Sequence, residues 1–386
     1  MPNSIFNSVD ACMHCGLCIE TCPTYKVSGI ESDSPRGRLL LMRAVHEDRL
    51  ELSDIQPALE RCVQCHACES SCPSNVDYSG LLLENLNARK SFTAKVMASK
   101  TLSNLAGIAL RLLSRLKLYR LPGLSMHSKA ARGLMLCPEK ASAFDSQRTI
   151  HPALGELRGK VALQLGCVER QIHGTVLNDL ISVFTHQGFE LHIPPQQNCC
   201  GAIHYHSGDI EHGKDLAESS SQQFANFENV IVLSAGCSAH LQRHSNTNIY
   251  FDPLIFLAKH GLRGDLNPIN QQVAWMIPCH LKHLHQDWQM VGELLESIPQ
   301  LKIVDVDDSD LCCGAGGTAM LSQPHLSAEM GQAKAQCLVN ADPQQILSSN
   351  VGCRIQIDAH LRMLGSDQRT THPISLLRFA LGIDKH

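Results

Sequence analysis

The sequence predicts an α+β multidomain protein, an N-terminal α-helical module followed by two duplicated α/β units. Three observations carry that expectation. A four-cysteine motif occurs twice near the start, at an interval of 50 residues. A stretch rich in leucine and basic residues separates that part from the remainder. Beyond it, an order of short apolar strands and cysteines runs twice, matching cysteines lying 112, 113 and 116 residues apart.

Bulk properties bound the reading. At 386 residues the chain has room for two or three domains and a well-buried core. A hydrophobic content of 44% and a formal net charge of −4 give no overall pull toward nucleic acid, and no such partner is expected. The start, MPNSIFNSVDACM, lacks a basic n-region, an apolar h-region and a small-residue cleavage site, so no secretory signal is expected. No run of eighteen apolar residues occurs, and the reading is of a cytoplasmic chain without a spanning helix. Eighteen cysteines in such a chain point to metal or redox chemistry rather than a disulfide framework.

The helical module comes first. ACMHCGLCIETCP (Ala11 to Pro23) and RCVQCHACESSCP (Arg61 to Pro73) both follow C-x2-C-x2-C-x3-C-P, the bacterial ferredoxin pattern for a 4Fe–4S cluster. Three cysteines spaced by three wrap a loop around one cluster face. The fourth, followed by proline, leaves that loop for the other cluster. The expected ligands are therefore Cys12, Cys15, Cys18 and Cys72 for one cluster, and Cys62, Cys65, Cys68 and Cys22 for the other. Zinc sites usually arrive as two well-separated CxxC pairs, which this spacing is not. Between the motifs, SPRGRLLLMRAVHEDR (Ser34 to Arg49) predicts a helix capped by Ser34, with Pro35 at its first position and an apolar face of Leu39, Leu40, Met42 and Val45. Arg36 and Arg38 read as a solvated helix start, with balancing of cluster charge as the alternative.

From Asn85 to Pro138 there are ten Lys or Arg (Arg89, Lys90, Lys95, Lys100, Arg111, Arg115, Lys117, Arg120, Lys129, Arg132) and no Asp or Glu. Leu102, Leu105, Ile108, Ala109, Leu112, Leu113 and Leu116 recur at helical spacing, and Leu121-Pro122-Gly123 is the expected stop. Three readings stay open: a helix on an anionic membrane surface, one docked on an acidic partner, and one that packs its leucines into this protein's own core. Cys137 reads as a lone buried cysteine.

The duplicated part follows. KVALQLGCVER, FELHIPPQQNCCGAIHYHSG and NVIVLSAGCSAH each give a strand with cysteine beyond it, and VAWMIPCHLKH, LKIVDVDDSDLCCGAGG and QQILSSNVGCRIQ repeat the order. Buried strands alternating with helices imply mostly parallel sheets, with sites at the strand C-terminal ends. Each unit offers four thiols: Cys167, Cys199, Cys200 and Cys237, then Cys279, Cys312, Cys313 and Cys353. A further iron–sulfur cluster, thiol–disulfide chemistry and buried structural cysteines are the competing readings. Of the nearby histidines His204, His206, His240, His280, His283 and His285, the first and fourth lie within three or four residues of site cysteines and are singled out.

Two ferredoxin motifs followed by two CCG repeats resemble the iron–sulfur subunits of membrane-linked 2-hydroxy-acid and glycerol-3-phosphate dehydrogenases. HCGLCIETCPTY, ESDSPRGRLLLM, CCGAIHYH, CCGAGGTAML and SNVGCR look like the iron–sulfur subunit of glycolate oxidase (glycolate dehydrogenase). The resemblance implies a ferredoxin-type domain with two 4Fe–4S clusters at 1–88, a basic helical linker at 89–158, and CCG repeats at 159–265 and 266–386. It also implies a hetero-oligomer with FAD-binding subunits that oxidise glycolate to glyoxylate, electrons passing toward a respiratory quinone at the cytoplasmic face of the inner membrane. The related heterodisulfide reductases end each repeat in CxxC, whereas here His240 and Gln356 stand at the fifth position. No full G-x-G-x-x-G occurs between a strand and a helix, and GAGGTA (Gly314 to Ala319) is expected to serve the cysteine pair. The chain is thus expected to hold no flavin or NAD and no residue catalytic toward substrate. The alternatives are a thiol-active heterodisulfide-reductase-like subunit and the corresponding subunit of a lactate or glycerol-3-phosphate dehydrogenase.

Overall fold

The computed structural model describes residues 9–86, 94–96, 99–121, 123–144, 148–245 and 249–384. Arg89, Lys90 and the expected 88/89 boundary lie outside them. The two halves of the repeat build two sheets. In the first, β1 (Ile150–His151), β2 (Gly159–Gln164), β3 (Phe189–His192), β4 (Val230–Val232) and β5 (Tyr250–Phe251) lie in the order β1-β3-β2-β4-β5. In the second, β6 (Gln271–Trp275), β7 (Leu301–Ile303), β8 (Gln345–Leu347) and β9 (Thr370–Thr371) lie in the order β7-β6-β8-β9. Every pairing is parallel except the short β1 edge on β3. Removing β1 leaves the same order in both sheets, so the duplication read from cysteine offsets is one of topology.

The two units share one apolar core. Val161, Leu163, Phe184 and Phe256 of the first half pack in a single cluster with Val273, Leu295, Leu347 and Leu377 of the second. Two helices make the exchange. Pro253–His260, capped by Asp252, packs on Gln289–Glu296 of the second unit. Pro373–Ala380, capped by His372, packs on Gly174–His186 of the first. Each fully buried Leu, Ile or Phe here contributes roughly 1.5–3 kcal/mol.

In the N-terminal module the helix Pro35–His46 forms as its sequence dictates. Ser34 Oγ accepts the Gly37 amide at 2.9 Å, and proline occupies the first turn. Leu39 and Met42 are buried against Ile55, Leu59 and Leu82, while Leu40 points to solvent.

The helix Lys100–Arg115 stands the other way out from a core helix. Its small side, Ser103, Gly107 and Ser114, lies on the protein. A Cβ on Gly107 would meet Gln171 Oε1 at 2.2 Å, and Ser114 Oγ donates to the Glu139 carbonyl at 2.9 Å. Its apolar side faces solvent: Leu105 is 59% exposed and Ile108 55%, with Leu102, Leu112 and Leu116 alongside. The reading that this helix packs its leucines into the protein's own core is therefore set aside. The regular helix ends at Arg115, ahead of the expected stop. The stretch is also less uniformly a cationic surface than its composition suggested. Arg132 is buried and donates to the carbonyls of Met126, Met320 and Pro324, and Arg111 donates to the Gln171 carbonyl at 2.8 Å. Arg115 and Lys117 are exposed. No helix among the described residues is long and apolar enough to cross a membrane.

Candidate metal and thiol centres

Each ferredoxin-type loop has to turn back on itself so that three thiols point inward. The turn shows in the backbone. His14 and Gln64 at one position of the motif, and Gly16 and His66 at another, all take left-handed φ values between 51° and 82°. The first cavity so formed is lined by Cys12, Cys15, Cys18 and Cys72, the second by Cys62, Cys65, Cys68 and Cys22. The fourth cysteine of each motif thus sits with the first three of the other, the exchange expected from the spacing. Cys68 and Tyr78 border both cavities.

The donor sets fit 4Fe–4S clusters. Burial pushes the Cys65 and Cys68 thiols well above the ordinary range, so thiolates there call for a strong compensating cation such as cluster iron. Amide N–H groups already aim at sulfur, Gln64 N at Cys62 Sγ (3.4 Å) and Val76 N at Cys72 Sγ (3.5 Å). Arg38 is not a solvated helix-start residue. It is 1% exposed, lines the second cavity, and donates to the Ala58 carbonyl at 2.8 Å and to Thr24 Oγ1, which lies 3.2 Å from Cys22 Sγ. Burial opposes its charge, yet Tyr78, Cys62, Cys22 and Asp33 hold it above the usual guanidinium range. Arg36, by contrast, pairs with Glu31 at 2.9 Å near the surface.

The CCG thiols occupy the C-terminal ends of β2, β3, β4 and of β6, β7, β8, where parallel sheets place their sites. The two quartets share one cavity of about 200 Å³. It is lined by Cys167, Cys200 and Cys237 from one unit and by Cys279, Cys312, Cys313 and Cys353 from the other. Cys199 stands behind this wall, its Sγ 3.7 Å from Cys167 Sγ, and Cys313 Sγ lies 2.9 Å from Cys353 Sγ. Cys199 is held well below the thiol range by hydrogen bonds from Cys167 and Cys200, with the Gly201 amide and His204 adding to them. His240 and Gln356, at the positions of the absent fifth cysteines, do not line the cavity. They bond to Gly213 O (3.3 Å) and Ser327 O (2.8 Å). His280 does line it, with Nδ1 3.5 Å from Cys279 Sγ. His204 instead turns to Asp209 at 3.1 Å.

The second ferredoxin-type loop docks directly on this cavity. Val63, Cys65 and Ala67 pack with Cys312, Ala319 and Met330, and Cys279 flanks the cluster. The GAGG turn allows the approach: a Cβ on Gly316 would meet Val63 Cβ at 2.8 Å, and one on Gly317 would meet His206 Cβ at 2.9 Å. Sequence reasoning named His206 among the nearby histidines but did not single it out, although it lines the cavity and is bonded by Gln64. Its nearness to Cys200 is local, but the partner that sets its role lies on a loop 142 residues away. Cys137 is buried as expected, its Sγ 3.2 Å from the Leu110 carbonyl.

Comparison with known proteins agrees with this division. A 4Fe-4S dicluster domain model matches residues 8–76, and a cysteine-rich domain model, CCG, matches 161–242 and 273–358. The chain is 28% identical to the probable glycolate oxidase iron-sulfur subunit of Bacillus subtilis, over 96% of this chain and 94% of that one. It is 27% identical to the glycolate oxidase iron-sulfur subunit of Escherichia coli, over 90% and 89%. It is 24% identical to a subunit of the fumarate reductase (CoM/CoB) of Methanothermobacter marburgensis, over 97% and 72%. A crystal structure of a hypothetical protein from Helicobacter pylori shares the fold with a TM-score of 0.52 at 9% identity, over 100% of this chain and 74% of that one.

Proposed function

From a chain that belongs to the iron–sulfur proteins joining a 4Fe-4S dicluster domain to two cysteine-rich CCG domains, we propose the electron-transfer subunit of a glycolate oxidase complex. The observation that carries this reading is the packing of Cys65 against Cys312 and Cys279, which brings the second ferredoxin-type loop onto the CCG thiols. The bound clusters supply one-electron carriers, which a flavin needs when it gives up two electrons singly. Cys12, Cys15, Cys18 and Cys72 hold one of them, and Cys15 is exposed to an incoming partner. Cys22, Cys62, Cys65 and Cys68 hold the other, with Arg38 offsetting its negative charge. The eight CCG thiols hold a further cluster or a redox-active thiol pair.

The partner in this reading is an FAD-binding subunit that oxidises glycolate to glyoxylate, and the acceptor is a membrane quinone. The leucine face of Lys100–Arg115, with Arg115 and Lys117 at its end, suits the interfacial region of an anionic inner membrane. Anaerobic purification of the chain with and without its flavoprotein subunits tests the proposal. Glycolate-dependent dye reduction is expected from the complex alone. Turnover by the isolated chain, or iron and sulfide below two clusters' worth, counts against it.

One observation favours a second reading. The 2.9 Å separation of Cys313 and Cys353 suits thiol chemistry, in which the pair loses two electrons and two protons to form a disulfide. A heterodisulfide-reductase-like subunit would then reduce an external disulfide, and trapping of a mixed disulfide on Cys313 would distinguish it.

A further inference from the structure

The two CCG units meet through two equivalent contacts, and only one closes. Ser238, next to Cys237, places its hydroxyl 3.0 Å from Nε2 of His285, the sixth residue beyond Cys279 of the other unit. The matching partners are Arg354, next to Cys353, and His173, the sixth residue beyond Cys167. There the contact stays open. His173 Nδ1 is taken by Glu169 at 3.0 Å, and Arg354, only 5% exposed, leaves Nε and Nη1 with no hydrogen-bond partner.

Both residues line a polar cleft of about 1130 Å³ between the units. Three neighbouring cations there have partners. Arg369 holds Glu139 at 2.8 Å, Arg378 holds Asp179 at 3.0 Å, and Arg362 donates to the carbonyls of Met135 and Cys137. Arg354 stands out in leaving two N–H donors, Nε and Nη1, unfilled, with the buried carboxylates of Glu169 and Asp358 acting on it only electrostatically and forming no ion pair with it. Buried guanidinium donors left without an acceptor are costly, and a native fold rarely leaves them so unless a further group fills them. The guanidinium fork matches the two oxygens of a carboxylate or phosphate.

We propose that this cleft binds a small metabolite by its oxyanion, a carboxylate or a phosphate group, held on Arg354. The cleft has room beyond one oxyanion, and Arg148 and Lys140 line it as well. The site is independent of the electron-transfer reading and uses none of the proposed cluster ligands. Isothermal titration of the purified full-length protein with inorganic phosphate, glyoxylate and ADP tests it and separates the ligand sources. At least one probe is expected to bind, with Arg354→Gln weakening it tenfold or more, Arg354→Lys weakening it less, and Ser238→Ala leaving it unchanged. Absence of binding by all three probes, or equal binding by Arg354→Gln, overturns the proposal. Should Arg354→Gln fail to fold, hydrogen exchange on the unaltered protein decides. A saturating probe slows exchange in Val351–Met363 if the proposal holds, and unchanged exchange overturns it.

Discussion

Gln64 grips His206 with both ends of its amide. Nε2 donates to the His206 carbonyl at 2.8 Å, and Oε1 lies 2.6 Å from His206 Nδ1. This clasp joins the second ferredoxin-type loop to the first CCG unit, between two proposed cluster ligands. Burial holds His206 well below the ordinary histidine range, so the neutral ring presents Nδ1–H to the amide oxygen. Gln64→Ala is expected to keep both cluster EPR signals while lowering unfolding stability by about 1–3 kcal/mol, the range for a lost buried hydrogen-bond pair. Unchanged stability under anaerobic denaturation would show the clasp to be incidental.

Gly316 makes the same junction by close approach. Its φ is +34°, and the nearest neighbours of an added Cβ are the Val63 side chain and its Cα at 3.1 Å. Gly316→Val is expected to push the module off the cavity without removing a thiol. Limited proteolysis should then cut between the ferredoxin-type and CCG parts at a rate raised at least several-fold. An unchanged digestion pattern would mean that the turn adapts.

Cys68 borders both ferredoxin-type cavities, whereas Cys18 borders the first. Serine is a poorer ligand for cluster iron, so Cys18→Ser and Cys68→Ser should each damage one cluster and perturb its neighbour. EPR of the reduced variants checks this, and two undisturbed 4Fe–4S signals in both would overturn the ligand assignment.

The outward leucines give the membrane proposal a sharper test than charge alone. Returning a half-exposed leucine to an apolar phase is worth about 1 kcal/mol. Leu105→Ser, Leu112→Ser and Leu116→Ser together should abolish flotation of the complex with anionic vesicles. Arg115→Gln with Lys117→Gln should weaken it chiefly at low salt. Loss of the flavoprotein subunits with vesicle binding intact would identify a partner surface instead.

His372 provides a pH test. Its Nδ1 accepts the Ile374 amide at 3.1 Å and its Nε2 donates to the Leu233 carbonyl at 3.1 Å, so an added proton would destroy the cap. Burial, with Arg354 beside it, pushes its pKa down to about 3. The unfolded chain therefore takes up the proton first. Its contribution is complete above pH 6.5 and falls at about 1.4 kcal/mol per pH unit as the pH drops toward 3. His240, lowered to about 4, acts in the same sense, while Asp252, raised to about 7, opposes them below pH 7. His372→Asn keeps a capping side chain and should flatten the acid slope of the urea midpoint by up to one proton. An unaltered slope would rule His372 out as a contributor.

The ferredoxin-type loops were legible because their ligand spacing is a local property of eleven residues. The exchange of Cys22 and Cys72 followed from the same pattern. The repeat was legible from cysteine offsets, since β2, β3 and β4 and their counterparts each end near one. Arg38 was not, because the same helix-start position leaves Arg36 at the surface and only the tertiary fold sends Arg38 inward. Nor was the direction of Lys100–Arg115. Amphipathic spacing shows that a helix has two faces, and here Ser103, Gly107 and Ser114 let the polar side approach Gln171 closely enough to win. The Gln64–His206 clasp and the open Arg354 site depend on residues more than a hundred positions apart, beyond any local pattern.

The exchanged helices also set an order of events during synthesis. The first CCG unit receives Pro373–Ala380 onto Gly174–His186, so its core stays open until that later segment has emerged from the ribosome. The second ferredoxin-type loop rests on Gly316 and Cys312, which are themselves late. Cys65 and its loop are made well before the residues that cover them. Metallation of the second ferredoxin-type loop in its covered form must therefore follow synthesis of the segment around Cys312 and Gly316, or depend on a carrier that shields the loop until then.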